Sequence, residues 1–272
     1  MRKMMLVFAA LLTLSLPSTA MAQGIDSPFV IDNVPNVFGV GIAAYPDYLG
    51  SDNYTLGAAP FMRYTFSGQE QYIQLWVTEL SLNILNHPNW GFGPVLNYRF
   101  GRDDDVEDDV VEQMREIDGT VEAGAFVSYT WKAPENPRHR FIVSAEFLGD
   151  VGNEHEGWLA MAGMRYWLPV SQSMDILVGV GGTYADSDYM NTYFGVNSTD
   201  AARTGLPLFD ADSGFRDVNA TLAGVIHFSR NWHVGIGFKY FGLTSDASDS
   251  PIVDDRGSES QFIAGLGIAY SW

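Results

Sequence analysis

Apolar residues alternate with small or polar residues along many segments of this chain, and this period of two constrains the fold most. The pattern is clearest in residues 261–272, where every second side chain is apolar and the others are small or weakly polar. Side chains alternate between the two faces of a β-strand, so such a segment has one continuous apolar face. Here that face holds Phe262, Ala264, Leu266, Ile268, Tyr270 and Trp272. A chain built from such segments is expected to be all-β.

The beginning of the chain has the features of a cleaved export signal. Arg2 and Lys3 precede an apolar stretch of about 13 residues, which is too short for a membrane-spanning helix because a span needs ~20 residues. Ala20 and Ala22 then form the small-x-small pattern of a signal-peptidase site. We therefore expect residues 1–22 to be a signal peptide and residues 23–272 to form one domain.

Composition narrows the choice of architecture for that domain. After the signal no run of 18 apolar residues occurs, although 46% of the chain is apolar. Lipid requires every backbone polar group to be satisfied within the protein, which leaves helices and closed β-barrels as spanning structures. The sequence thus predicts a transmembrane antiparallel β-barrel, located in the outer membrane of a Gram-negative bacterium and in contact with its lipid and lipopolysaccharide.

The number of strands follows from counting the alternating segments. Besides the last segment, the clear cases are 90–100, 121–131, 141–147, 218–228 and 232–240. Weaker cases are 38–44, 56–66, 72–82, 158–168 and 174–184. Single-chain bacterial barrels have an even number of strands, so these eleven segments leave one strand unassigned. Residues 26–33, residues 193–196 or the division of one segment would supply it, and we expect about 12 strands (10–12).

Short connections alternate with long polar ones. Outer-membrane barrels have short periplasmic turns and longer extracellular loops. Residues 229–231 and 169–173 are therefore expected to be periplasmic, and residues 185–215 and 242–260 extracellular. The side on which residues 101–119 lie is left open by the odd strand count. Within that stretch the helical spacing of Val106, Val110, Met114 and Ile117 predicts a short amphipathic helix.

The apolar face of the last strand has a second implication. A strand of this kind, with an aromatic residue at its end, resembles the terminal strand that outer-membrane proteins present to their insertion machinery. The residues expected to carry this signal are Phe262, Leu266, Ile268, Tyr270 and Trp272.

Charged residues at inward positions of the predicted strands are the candidates for a lumen function. They are Arg63, Arg99, Glu122, Arg140, Glu146, Arg165 and Lys239. Polar residues are expected inside any such barrel. Two interpretations fit: a solute path whose ion preference these residues set, or an ion-pair network that fills a narrow barrel. The ion-pair network is favoured.

No catalytic, cofactor or metal residue is assigned from the sequence. The acidic run at 103–109 has carboxylates that Ca²⁺ or Mg²⁺ would accept, but its spacing matches no defined metal loop and favours a solvated loop. His155 and Ser213 lie in no nucleophile-elbow pattern, and the chain has no cysteine. After the signal, 13 basic residues stand against 33 acidic ones, which argues against nucleic acid as a partner.

Several fragments resemble the MipA/OmpV family of outer-membrane proteins along most of the mature chain. They are residues 48–52 (YLGSD), 98–102 (YRFGR), 193–196 (YFGV), 201–206, and 250–253 (SPIV). The glycines Gly50, Gly195 and Gly205 and the proline Pro251 within them also suit tight backbone conformations in loops.

The resemblance implies an outer-membrane barrel without enzymatic activity. It also implies a scaffold that links a murein-cleaving lytic transglycosylase to a bifunctional penicillin-binding protein. The periplasmic turn at 132–138, which holds two prolines and basic residues, is the expected docking segment. A narrow solute channel and a surface adhesin acting through the long loops are the alternative functions.

Overall fold

A computed structural model of the chain describes residues 36–272. The predicted signal, with Ala20 and Ala22, lies outside these residues. Twelve antiparallel strands form a closed barrel in which each strand pairs with its neighbours in the chain and β1 pairs with β12. The strands are β1 (Asn36–Pro46), β2 (Tyr54–Thr65), β3 (Tyr72–Trp76), β4 (Glu79–Asn83), β5 (Trp90–Arg99), β6 (Thr120–Lys132), β7 (Arg140–Asp150), β8 (Trp158–Ser171), β9 (Met174–Ala185), β10 (Gly214–His227), β11 (Trp232–Leu243) and β12 (Ser260–Ser271).

Closure depends on the register between the first and last strands. Val37 lies opposite Ser271, and the pairing continues to Ala44 opposite Ala264. Burial alternates strictly along several strands, as on β12, where Leu266 is 54% exposed and Ile263 is fully buried. The exposed face is apolar, as lipid requires. The predicted all-β barrel of about 12 strands is confirmed.

The strand missing from the sequence count comes from a division of one segment. Residues 72–82 form two strands, β3 and β4, joined by a turn at Val77 and Thr78. Val77 has a φ of 55°, which is unusual for a β-branched residue and permits this reversal. Residues 193–196, the other alternative within the described part of the chain, instead end a helix and form one isolated bridge.

Six connections, among them the three longest, lie at one end of the barrel, here called the loop end. They are residues 47–53, 77–78, 100–119, 151–157, 186–213 and 244–259. They contain α1 (Ser187–Phe194), α2 (Ser198–Thr204), α3 (Asp246–Asp249), α4 (Pro251–Asp254) and a 3-10 helix (Val111–Gln113). Within residues 36–272, no helix is both long enough and apolar enough to cross a membrane. The opposite end, the turn end, carries residues 66–71, 84–89, 133–139, 172–173 and 228–231.

The prediction of an amphipathic helix within residues 101–119 is wrong, because the stretch contains only the short 3-10 helix Val111–Gln113. This stretch lies at the loop end, and an antiparallel bridge between Arg102 and Ile117 folds it back on itself. Val106, Met114 and Ile117 are nevertheless buried. Their helical spacing reflects contacts with other loops, and not one continuous helix.

Candidate functional site: a plugged loop end and a charged lumen

The loops at the loop end pack into an apolar cluster, here called the plug. The plug is formed by residues 47–53, 100–119, 186–213 and 244–259 together with the adjoining strand ends. Its centre is α1, whose Tyr189, Met190, Tyr193 and Phe194 are all at most 1% exposed. Asp186 caps this helix by accepting a hydrogen bond from the backbone N–H of Tyr189 at 3.1 Å. These contacts fill the loop end of the lumen with a protein core.

Fragments that carry the family resemblance meet in the plug. Tyr48 is 1% exposed, and its hydroxyl donates to the carbonyl of Ile252. Gly50 has a φ of +101°, and a Cβ there would lie 2.4 Å from a methyl group of Val253. The hydroxyl of Ser250 donates to the carbonyl of Phe194 at 2.5 Å. The fragments are thus contact points between loops that lie far apart in the chain.

A buried ionic cluster below the plug is centred on Glu122. The guanidinium of Arg99 donates two hydrogen bonds to this carboxylate, at 2.7 and 3.0 Å. The amide of Asn97 donates a third at 2.8 Å. Nε2 of His155, from loop 151–157, lies 3.1 Å from the same carboxylate. Glu122 and His155 have fully buried side chains and Arg99 is 3% exposed, so the charge is neutralised within the protein.

Tyr189 joins this cluster to the far wall of the barrel. Its hydroxyl accepts from Arg99 at 3.2 Å and from Arg216 at 2.8 Å. Arg216 also donates to Asp217 at 2.6 Å. Because Tyr189 belongs to the plug while Arg99 and Arg216 belong to β5 and β10, these bonds fasten the plug to the barrel wall. Sequence analysis missed Tyr189, Arg216 and Asp217.

A second fastening joins two loops of the plug. Arg256 donates to the two carboxylate oxygens of Asp108 at 3.2 and 2.7 Å. Partial burial of Asp108 opposes its ionisation. The bonds from Arg256 and from the amides of Val111 and Val110 outweigh that effect, and they hold the pKa of Asp108 below its ordinary value.

Asp108→Asn is expected to loosen loops 100–119 and 244–259. A carboxylate with a lowered folded-state pKa stabilises the fold above its unfolded pKa, ~3.9, and this contribution is lost as the pH falls further. Limited proteolysis should therefore cut these loops faster in the variant than in the wild type at pH 7. The rates should converge only when the pH falls below the lowered folded-state pKa of Asp108, where the wild-type carboxylate is uncharged as well. Asp104→Asn, at an exposed position of the same run, is the control. Equal cleavage of D108N and wild type at pH 7 would contradict the fastening.

The structure places the seven inward charged residues in three groups. Arg99 and Glu122 form the buried pair below the plug. Glu146, Arg165 and Lys239 line a cavity of about 230 Å³ in the middle of the lumen. Arg63 stacks on the Tyr72 ring at 3.7 Å, and Arg140 lies 5.2 Å from the Trp167 ring centre. Both belong to strand ends nearer the turn end.

The turn end contains a further polar chain that sequence analysis did not assemble. One carboxylate oxygen of Asp175 accepts a hydrogen bond from Arg138 at 2.6 Å, and the other oxygen lies 2.9 Å from Nε2 of His227. The Nδ1 atoms of His227 and His233 are 2.7 Å apart. Nε2 of His233 lies 2.8 Å from the hydroxyl of Ser271. In the sequence, both histidines occupy inward positions of the alternating pattern, but their contact depends on the strand register.

The remaining candidates do not converge on a reactive centre. Most of the acidic run 103–109 is exposed on the outside of the plug. In residues 36–272, no group of three or more His, Asp or Glu side chains is placed to hold a metal ion. Ser213 is exposed, whereas His155 is committed to Glu122.

Charge is distributed unequally between the two ends. The six loops carry 23 acidic and four basic residues, whereas the five turns carry two of each. The loop end is therefore strongly anionic and will repel anionic partners. Contact with lipopolysaccharide phosphates at this end would need bridging cations.

A closed twelve-stranded barrel with an apolar outer face and a charged, polar interior is an outer-membrane β-barrel protein. The family model described as "MltA-interacting protein MipA" matches residues 38–272. The chain belongs to this family, which confirms the resemblance seen in the sequence and the location in the outer membrane.

Two curated relatives align with part of the chain. Outer membrane protein OmpV of Vibrio cholerae is 32% identical over 129 residues, which cover 47% of this chain and 48% of that protein. Outer membrane protein Omp26La of Vibrio anguillarum is 30% identical over 129 residues, with the same coverage. The aligned part of the chain spans about half the length of these curated relatives.

Among solved structures, two barrels have a TM-score of 0.47. The NanC porin is 11% identical to this chain, and the match covers 87% of this chain and 100% of the porin. An outer-membrane channel from Pseudomonas putida F1 is 12% identical, and the match covers 91% of this chain and 99% of the channel.

Proposed function

We propose that the protein is a non-enzymatic scaffold that binds murein-processing enzymes, a lytic transglycosylase and a penicillin-binding protein, at the turn end of the barrel. The name of the family refers to an interaction with MltA. The observation that carries the proposal is the plug, because a barrel whose loop end is filled by a fastened core is built for a role other than free solute flow. Short turns face the periplasm in outer-membrane barrels, where murein lies.

The turn at 133–139 is the docking segment that we favour. It is held in one conformation by a hydrogen bond from the backbone N–H of Ala133 to the carbonyl of His139, at 3.0 Å, and by the Arg138–Asp175 ion pair. Lys132, Pro134 and Pro137 are exposed around it. A segment that is already ordered loses less conformational entropy when it binds a partner.

Replacing residues 134–137 with Gly-Ser-Gly-Ser is expected to reduce capture of these enzymes. The tagged mature protein would be purified from gently solubilised envelopes, and co-purifying proteins would be quantified by mass spectrometry. Capture should fall at least tenfold, since ~1.4 kcal/mol of binding energy corresponds to a factor of ten. The control replaces residues 67–70, a turn of similar length at the same end. Equal capture by wild type, variant and an unrelated barrel would contradict the scaffold.

The mid-lumen cavity favours a narrow solute channel as the second candidate. Its walls carry cationic, anionic and hydroxyl side chains, including Arg165, Glu146 and Thr221. A channel also requires that solute pass the plug. Conductance of the wild-type protein in a planar bilayer would favour this function over the scaffold.

A further inference from the structure

The polar chain at the turn end crosses half of the barrel rim. Its members come from turn 133–139 (Arg138), β9 (Asp175), β10 (His227), β11 (His233) and β12 (Ser271). Asp175, His233 and Ser271 are each at most 6% exposed. The polar chain therefore links the proposed docking turn to the last strand of the barrel through side chains alone.

The direction of each hydrogen bond is determined when both histidines are neutral. An ionised carboxylate only accepts, so Nε2 of His227 carries a hydrogen and donates to Asp175. The bare Nδ1 of His227 must then accept from Nδ1 of His233. The remaining nitrogen of His233, Nε2, is bare and accepts from the hydroxyl of Ser271. Each imidazole has a single tautomer in this arrangement.

The arrangement tolerates one additional proton and excludes a second. The first can bind Nε2 of His233, because the Ser271 hydroxyl can rotate and accept. A second proton would put an N–H group on both Nδ1 atoms, which face each other at 2.7 Å. Two donors cannot occupy that distance, which is the length of a good hydrogen bond. The two rings must then separate.

Nearby charges add to this effect. Asp175 on β9 is bonded to the pair, and Arg138 in the turn is bonded to Asp175. Arg140 on β7 and Arg63 on β2 belong to strand ends at the same end of the barrel. Ser271 on β12 is neutral, and Val37 on β1, which lies between Ser271 and Arg63 in the register, is apolar. Because Arg138 offsets the charge of Asp175, the groups bonded to the pair carry no net negative charge that would favour a second proton.

We propose that His227 and His233 form a proton-sensitive link that loosens the turn end on acidification. The link opens only when the second proton binds, so acidification must go below the ordinary imidazole range of ~6.5 before the rings separate. Because His227 directly precedes turn 228–231 and shares Asp175 with Arg138, separation of the rings weakens the anchoring of turns 228–231 and 133–139. Control of enzyme binding by this link rests on the scaffold function proposed above; the link itself does not.

Hydrogen–deuterium exchange of the mature protein in detergent micelles tests the link. Exchange at pH 7.5 and pH 4.5, corrected for the intrinsic pH dependence, would be followed in peptides that cover 133–139 and 228–231. Wild type should exchange several-fold faster at pH 4.5 in both turns. His233→Gln should remove this difference. His139→Gln should keep it, because His139 bonds to Tyr166 and is not a member of the polar chain.

Two results would overturn the proposal: equal corrected exchange of the wild-type turns at both pH values, or a pH response that persists in H233Q. If H233Q fails to fold, Ser271→Ala provides a second test. This change removes the group that accommodates the first added proton, and the pH response should shift to lower pH. Enzyme capture at both pH values separates the two proposals. A pH-dependent exchange without capture at either pH would remove the scaffold and leave the link in place.

Discussion

Replacing residues 188–211 with a short Gly-Ser linker is expected to turn the barrel into a conducting pore. This segment supplies α1, with the four buried side chains at the centre of the plug, and the Tyr189 hydroxyl that binds Arg99 and Arg216. The wall should survive the change, because its strands pair only with their neighbours around the ring. In a planar bilayer, wild type should show no steps above baseline and the variant discrete open steps.

The control for this experiment is Leu208→Ser. Leu208 lies in the same loop but is 68% exposed, so the plug should remain intact and conductance should stay at baseline. Discrete steps from the wild type would contradict closure by the plug. A silent variant that is still folded would instead assign the closure to the cluster of Ile142, Trp167 and Leu177 nearer the turn end.

Glu122→Ala is expected to produce the largest loss of stability of any single charge removal in the lumen. It leaves the Arg99 guanidinium, which is 3% exposed, without its carboxylate, and it also removes the partner of Asn97 and His155. Breaking a buried ion pair by removing one member typically costs about 3–5 kcal/mol. Urea unfolding in micelles, read from the gel mobility of folded and unfolded protein, would measure the change.

Two further variants define the cause of that loss. Glu116→Ala removes an exposed carboxylate from loop 100–119 and should change the stability by less than about 0.5 kcal/mol. The double variant Arg99→Met, Glu122→Leu removes both charges and should recover much of the loss, because an apolar pair can replace a buried ion pair. If E122A were as stable as E116A, the ionic cluster would have no part in fastening the plug.

The class of fold could be predicted from the sequence because a lipid-facing strand has a local signature. Each exposed residue of β5 alternates with a buried one, and that alternation is visible without any knowledge of neighbours. Where a tight turn interrupts the pattern, as at Val77 and Thr78, a sequence count joins β3 and β4 into one segment. The inward parity of Arg99 and Glu122 could be predicted for the same reason.

The contacts between inward residues could not be predicted in this way. Asn97 lies opposite Glu122 only because of the register between β5 and β6, and a shift of two residues would preserve the alternation while breaking the cluster. His227 and His233 likewise meet through the register between β10 and β11. Parity specifies the face of a strand, whereas register specifies the partner.

The sequence by itself determined an outer-membrane barrel. Lipid contacts every second side chain of a spanning strand, so the requirement for apolar residues appears in the sequence as a period of two. Only the tertiary structure decided that the loops form a plug. Apolar loop residues such as Val106, Tyr48 and Ile252 follow no common period, because their partners belong to other loops. The plug is stabilised by burial among distant segments, such as those of Tyr48 and Ile252, which lie 204 positions apart. That information exists only after the barrel has brought the loops together.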